Sequence, residues 1–249
     1  MSDKLTTKPY WESYYRRRHS DKQHIIGVCS YYDDFWNVFL GSDSKDKTII
    51  EIGGFPGRYL AYLSSRYSLI PTCLDYNSDI SQIQDAFKVM DVSEYHIIQE
   101  DFTQYEPKTT YDFVLSNGFI EHFKDFDTIL DLHMKYLNAN GKLYIMIPNM
   151  RGYIWLYKKL IDSNNLDVHN LKSMSLNVFK SFGNRNRLKI LHLNYYGGFP
   201  YGVHQKMNTF HRLFYTLHKH FFKKIGNTIL KKYPSRFFSS SIIAIFEKQ

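Results

Sequence analysis

Glu51-Ile52-Gly53-Gly54-Phe55-Pro56-Gly57-Arg58 is the stretch that decides how this chain folds. It continues the apolar run Thr48-Ile49-Ile50, so a short buried strand ends near an acid, passes a glycine-rich turn and enters a helix. Gly53 and Gly57 let the backbone come close to a ligand at the helix N-terminus. A dinucleotide fingerprint would need Gly-x-Gly-x-x-Gly. Counted from Gly53, the second and third positions hold Phe55 and Arg58; counted from Gly54, they hold Pro56 and Tyr59. Both registers fail. No Gly-Lys-Ser/Thr follows, so a P-loop is excluded, and the loop alone is also readable as a tight strand–helix turn.

Outward from this stretch the chain alternates strands and helices. Helix signals cover 58–66, 78–90 with Ser78 as cap, and 125–137 with Asn138-Ala139-Asn140-Gly141 as its stop. Strand signals cover 69–74, 95–99, 112–116 and 143–147. That rhythm predicts an α/β fold with a mostly parallel sheet and right-handed crossovers. Before it, residues 1–46 hold aromatic-rich helical stretches at 9–18 and 31–40, expected to form a helical lid. After it come a helix over 152–162, a polar loop over 164–174, a helix from 176 and a strand at 188–193. A long amphipathic helix is expected over 203–224, with Met207, Phe210, Phe214, Leu217 and Phe221 as its apolar stripe. A last strand at 241–246 suits an antiparallel final hairpin.

Acids stand at the ends of three successive strands: Glu51, Asp75 and Asp101. A carboxylate at Asp75 can take both hydroxyls of a ribose, and Asp101 with Phe102 sets a charge and a ring beside an adenine. Each alone is as readable as a cap or a solvated strand end. Together they line the rim where open α/β sheets bind ligands.

With these motifs, residues 47–149 resemble a class I S-adenosylmethionine-dependent methyltransferase. Glu51-x-Gly53-x-x-x-Gly57 is similar to that family's first motif, Asp75 to its second-strand acid, and Asp101-Phe102 to its adenine-side motif. The run from Tyr111 through Asn117, Glu121 and His122 to Phe123 resembles its fourth-strand motif, and Leu137 to Leu143 the loop before strand five. Phe55 departs from the glycine many members carry. The resemblance implies a Rossmann-like seven-stranded sheet with helices on both faces, a methyltransferase domain over 47–249, and acceptor-side insertions near 150–187 and 200–238. It implies S-adenosylmethionine as cofactor, held by Glu51, Gly53, Gly57, Asp75, Tyr76, Asp101, Phe102 and Asn117; the aromatics beside the three arginines, Tyr14 or Tyr15 among them, are expected to close over it.

For methyl transfer the candidate bases are His122 and His169, the first just past strand four and the second in the insert after strand five. His122 is equally readable as a structural histidine holding Glu121 or a carbonyl. Arg16, Arg17 and Arg18 are candidate holders of an anionic acceptor, on a stretch also readable as an amphipathic surface helix. His204, with His211 and His218, is spaced by seven on what would be one helix face, and is a further substrate candidate. No histidine trio has metal spacing, so no catalytic metal is expected.

The 249 residues are 43% hydrophobic, enough for a core, with 21 Tyr and 19 Phe. Thirty-two Lys and Arg against 24 Asp and Glu leave +8, which favours an anionic partner. Cys29 and Cys73 lack any metal or redox spacing. No run reaches the ~18 apolar residues of a membrane span, and the N-terminus lacks a secretory apolar core, so a reducing, cytoplasmic setting is expected. The acceptor expected is a small anionic or sugar-type molecule, such as a phosphorylated or nucleotide-linked sugar or a capsule-type polysaccharide precursor, methylated on oxygen. The alternatives are an RNA methyltransferase, for which no appended RNA module is visible, and a non-catalytic S-adenosylmethionine-binding subunit.

Overall fold

The computed structural model describes residues 4–15, 21–223 and 227–249. Seven strands form one sheet in the order β3-β2-β1-β4-β5-β7-β6. These are β1 (Thr48–Ile52), β2 (Ile70–Leu74), β3 (His96–Ile98), β4 (Tyr111–Asn117), β5 (Leu137–Pro148), β6 (Leu188–Tyr196) and β7 (Ser241–Lys248). The first five run parallel, and β7 is antiparallel to both β5 and β6. The order reverses between β1 and β4. That reversal opens a crevice beyond the carboxyl ends of the strands.

Successive side chains of β1 point to opposite faces, so Ile50 and Ile52 join one core while Ile49 joins the other. One core packs under α2 (Lys22–Cys29), α3 (Asp33–Leu40), α4 (Arg58–Tyr67) and α5 (Ser81–Val89). The Trp36 indole N–H donates to Cys29 O at 2.8 Å, and its ring lies 4.6 Å from that of Tyr144, tying α2 and α3 to the sheet. The opposite core packs under α6 (Phe126–Leu132) and α9 (Leu176–Arg185). A smaller cluster joins α7 (Tyr153–Ile161) to α10 (Thr209–Phe221) around Tyr157, Phe199 and Phe222.

Several boundaries differ from those the sequence predicts. The helix expected over 125–137 stops at Leu132, continues as a 3-10 turn to Tyr136, and Leu137 already pairs with Tyr111 as the start of β5. Ser78 is not a helix cap; α5 starts at Ser81, whose N–H is taken by Asp79 at 3.0 Å. The polar loop over 164–174 contains a short helix, α8 (Ser163–Asp167). The long helix begins at Thr209 because Asn208 accepts from His211 N at 2.8 Å and caps it there. Upstream, His204 N and Gln205 N donate to Asp162 Oδ1, which holds that stretch out of the helix. The predicted stripe faces outward at Phe210, Leu217 and Phe221, whereas Phe214, Tyr215 and Phe222 meet the core. No helix among the described residues is long and apolar enough to cross a membrane.

Candidate functional site

The crevice at the strand reversal holds about 670 Å³ of space between atoms, part of it open solvent. Its floor is the turn after β1. Gly53 N donates to Leu74 O at 2.9 Å, and Gly53 has φ +66°. A Cβ there would stand 2.4 Å from Phe119 Cδ2, so only glycine lets the Phe119 ring lie against the backbone. Gly57, at φ +87°, is the N-cap residue of α4 and does not itself line the crevice.

Asp75 lines the crevice and accepts from Phe55 N at 3.2 Å and Asn77 N at 2.8 Å. One carboxylate thus holds both the glycine turn and its own. Tyr76 lies beside it, with the Lys4 ammonium 4.8 Å from the ring centroid. The same ammonium pairs with Asp101, whose Oδ1 also accepts from Thr103 N at 3.0 Å and Thr103 Oγ1 at 2.9 Å. Burial opposes ionisation of Asp101, but these bonds outweigh it and hold the carboxyl below its usual range. Phe102 is buried beside Asp101, 5.5 Å from the Phe119 ring.

Glu51 is 2% exposed, and burial raises its carboxyl to about 8. Its Oε1 accepts from Asn117 Nδ2 at 3.2 Å. Glu51 Oε2 and Asn117 Oδ1 are both buried without a donor, and Asn117 lines the crevice. A cationic donor that reached this pair would satisfy both oxygens and favour loss of the Glu51 proton.

The roof comes from the N-terminus. Leu5 N donates to His122 O at 2.7 Å, which straps the chain across the turn after β4. From α1 (Lys8–Tyr15), Trp11 meets the His122 ring edge-on at 4.8 Å and Tyr15 meets Phe55 at 5.0 Å. Tyr14 does not line the crevice; its ring stands 6.3 Å from that of His204. Arg16, Arg17 and Arg18 lie outside the described residues. His204 bonds Asp162 Oδ2 through Nδ1 at 3.1 Å and does not line the crevice either. It shares no helix with His211 and His218, because α10 starts after it.

His122 lines the crevice, and the His169 ring is 4.7 Å behind it. Nδ1 of His122 donates to Val168 O at 2.8 Å, and Nδ1 of His169 to Asn165 O at 2.5 Å. Each bond leaves the Nε2 lone pair available. Burial, and then the neighbouring His169 ring, lowers His122 to about 3; burial lowers His169 to about 4. Both rings are neutral at physiological pH. Glu121 beside them is 1% exposed and raised by burial to about 8.

The structure therefore brings Gly53, Asp75, Tyr76, Asp101, Phe102, Asn117 and His122 to one crevice, with Glu51 and His169 directly behind it. Lys4, Thr6, Phe119 and Phe123, none of them expected as site residues, also line it, as do Trp11 and Tyr15 of the aromatic stretch expected to close over the cofactor. Trp11 and Tyr15 were within sight, as neighbours of Tyr14 on the same short helix. Nothing in the sequence marks Lys4.

A family model described as a methyltransferase domain matches residues 22–213. Pavine N-methyltransferase from Thalictrum flavum subsp. glaucum is 28% identical over 117 residues, 46% of this chain and 33% of that protein. The match thus spans about a third of that relative's length. Among solved structures, coclaurine N-methyltransferase bound to N-methylheliamine and S-adenosylhomocysteine aligns with TM-score 0.58 at 13% identity, over 93% of this chain and 76% of that one. The N-methyltransferase NodS from Bradyrhizobium japonicum, in complex with S-adenosylhomocysteine, aligns with TM-score 0.52 at 12% identity, over 98% and 94%. A phosphoethanolamine methyltransferase from Haemonchus contortus, with phosphomonomethylethanolamine and S-adenosylhomocysteine, aligns at 0.59 and 13%, over 98% and 60%. At these identities the likeness speaks to the fold.

Proposed function

The chain belongs to the methyltransferase-domain family of S-adenosylmethionine-dependent enzymes, and on that premise we propose that it methylates an oxygen of a small anionic or sugar-type acceptor, such as a phosphorylated or nucleotide-linked sugar. The observation that carries the reading is Asn117 Oδ1, buried without a partner in a residue that lines the crevice beyond the glycine turn, with Glu51 Oε2, likewise without a partner, behind it. They fit the ammonium of a methionine moiety. Asp75 would take the ribose hydroxyls, and Phe102 with Asp101 would flank the adenine. S-adenosylmethionine, when bound, supplies a sulfonium methyl open to in-line attack.

The chain's own part is alignment and exclusion of water. Trp11, Tyr15, Phe119 and Phe123 wall the crevice with aromatic surface. His122 presents an unprotonated Nε2, which accepts the acceptor's O–H and orients the oxygen lone pair. A ring lowered to about 3 is too weakly basic to hold that proton, so His122 acts as a hydrogen-bond acceptor more than a proton sink. The net charge of +8 favours anionic acceptors. A screen of phosphorylated and neutral sugars by mass spectrometry tests this. Anionic acceptors should turn over faster, with KM rising in salt; equal turnover of neutral ones in high and low salt would end the anionic reading.

A second reading, methylation of an amine nitrogen, is favoured by the partial likeness to pavine N-methyltransferase. The position of the new methyl group in the product decides between the two.

Gly53→Ala is expected to weaken S-adenosylhomocysteine binding by about tenfold, because the positive φ and the displaced Phe119 ring together cost roughly 1–3 kcal/mol. Unchanged affinity in calorimetry would show that this turn does not hold the cofactor.

A further inference from the structure

Glu121 and His122 end the 3-10 turn Ile120–His122 that follows β4, while His169 arrives from the insert just past α8. Asn170 locks the two segments together: its N–H donates to Glu121 O at 2.6 Å and its Nδ2 to Phe123 O at 3.0 Å. As a result one carboxylate oxygen and one nitrogen from each imidazole lie within 4.8 Å of one another. Glu121 Oε1 is 3.7 Å from His122 Nε2, too far for a hydrogen bond, and Glu121 Oε2 is buried without a donor.

Both imidazoles have the arrangement metal ligands have. Each donates Nδ1–H to a backbone carbonyl, Val168 O or Asn165 O, which fixes the ring and leaves Nε2 as a lone-pair donor. Two such nitrogens and a carboxylate stand together, and the buried Glu121 Oε2 has no hydrogen-bond partner, a demand that a cation between them would meet. Two histidines and one carboxylate on one side of an ion form a donor set suited to divalent first-row transition metals, with positions left open for other ligands. At metal–ligand distances of ~2.1 Å, adjacent donors are roughly 3 Å apart, so side-chain adjustments of about 1 Å close the site.

We propose that Glu121, His122 and His169 bind one divalent transition-metal ion through the Glu121 carboxylate and the two Nε2 atoms, at the acceptor end of the crevice. With the ion bound, His122 Nε2 is a ligand and no longer accepts the acceptor's O–H; the acceptor oxygen instead fills an open position on the ion. That last step rests on the oxygen-acceptor reading; ion binding itself does not. A coordinated hydroxyl gives up its proton to solvent more readily. The oxygen pair then forms the new O–C bond, and the broken S–C pair stays on sulfur.

Co²⁺ alone is the probe, titrated into the full chain with S-adenosylhomocysteine present and no acceptor, read by calorimetry and visible absorption. One ion should bind per chain. Glu121→Gln and His169→Gln should each weaken binding by about thirtyfold or more, with unchanged circular dichroism. His220→Ala, on the exposed side of α10, should leave it unaltered. Absence of stoichiometric binding, insensitivity to both substitutions, or loss through His220→Ala would overturn the site. If Co²⁺ binds as expected but the product carries its methyl on nitrogen, the oxygen reading falls and the metal site stands. If a hydroxyl acceptor turns over in chelator and no ion binds, the site falls and the oxygen reading stands.

Discussion

Deleting residues 1–20 is expected to leave a folded chain with weak cofactor binding and turnover lowered at least about a hundredfold. The fold should survive because the buried hydrophobic residues of all three core clusters begin at Ile25. The crevice should not. It loses Trp11 from against His122, Tyr15 from against Phe55, Thr6 from its wall and Lys4 from Asp101. Each aromatic ring removed opens apolar surface worth about 2 kcal/mol to water, and two such losses reach the hundredfold range. Trp11→Ala isolates the contact over His122 and should account for a tenfold or greater part of the loss in kcat/KM. Full activity from the truncated chain, with unchanged S-adenosylhomocysteine affinity, would make the segment decorative.

The sheet was legible because its central strands are covered on both faces. Thr48–Ile52, interrupted by Glu51, and Leu143 to Ile147 read as short apolar runs, and Gly53 and Pro148 mark where they end. The helical periphery was harder. α2 (Lys22–Cys29) escaped notice because only Ile25 and Cys29 are buried and Gly27 interrupts the pattern. The period in α10 was real, but periodicity says that an apolar face exists, not which neighbour covers it. Phe210 and Leu217 share that period and lie 62% and 61% exposed. Its start was misplaced because Asp162, distant in sequence, captures the amides of His204 and Gln205.

The same contrast runs through the site. Asp75 and Asp101 could be read from position, since a carboxylate just past a parallel strand falls on the ligand rim wherever the sheet lies. Lys4 could not, and Trp11 could be assigned to the lid but not to its contact with His122. Their place depends on the path of the N-terminus across the turn after β4, fixed by the bond from Leu5 N to His122 O. His169 was visible as a residue of the insert, but its approach to Glu121 depends on Asn170, whose two bonds join segments far apart in the chain.

Cofactor affinity should rise with pH below neutrality, and Glu51 should be the reason. Burial raises this carboxyl to about 8 in the free chain, so it is mostly protonated at pH 6. A protonated acid is a poor partner for an ammonium, whereas a carboxylate makes a charge-assisted bond. Binding of the methionine ammonium therefore requires Glu51 to release its proton, and the cost of that release shrinks as pH approaches 8. The sign follows directly: the bound state holds fewer protons than the free state, so raising pH favours binding. At most one decade per pH unit is available, which gives roughly twentyfold tighter binding at pH 7.5 than at pH 6. Glu51→Gln keeps the shape and removes the titration, so its affinity should be weaker at pH 7.5 and nearly flat across that window. Calorimetry with S-adenosylhomocysteine in buffers of different ionisation enthalpy should detect the released proton in the wild-type chain and none in the variant. Affinity that is flat with pH in the wild type, or a slope that persists in Glu51→Gln, would place the ammonium elsewhere in the crevice.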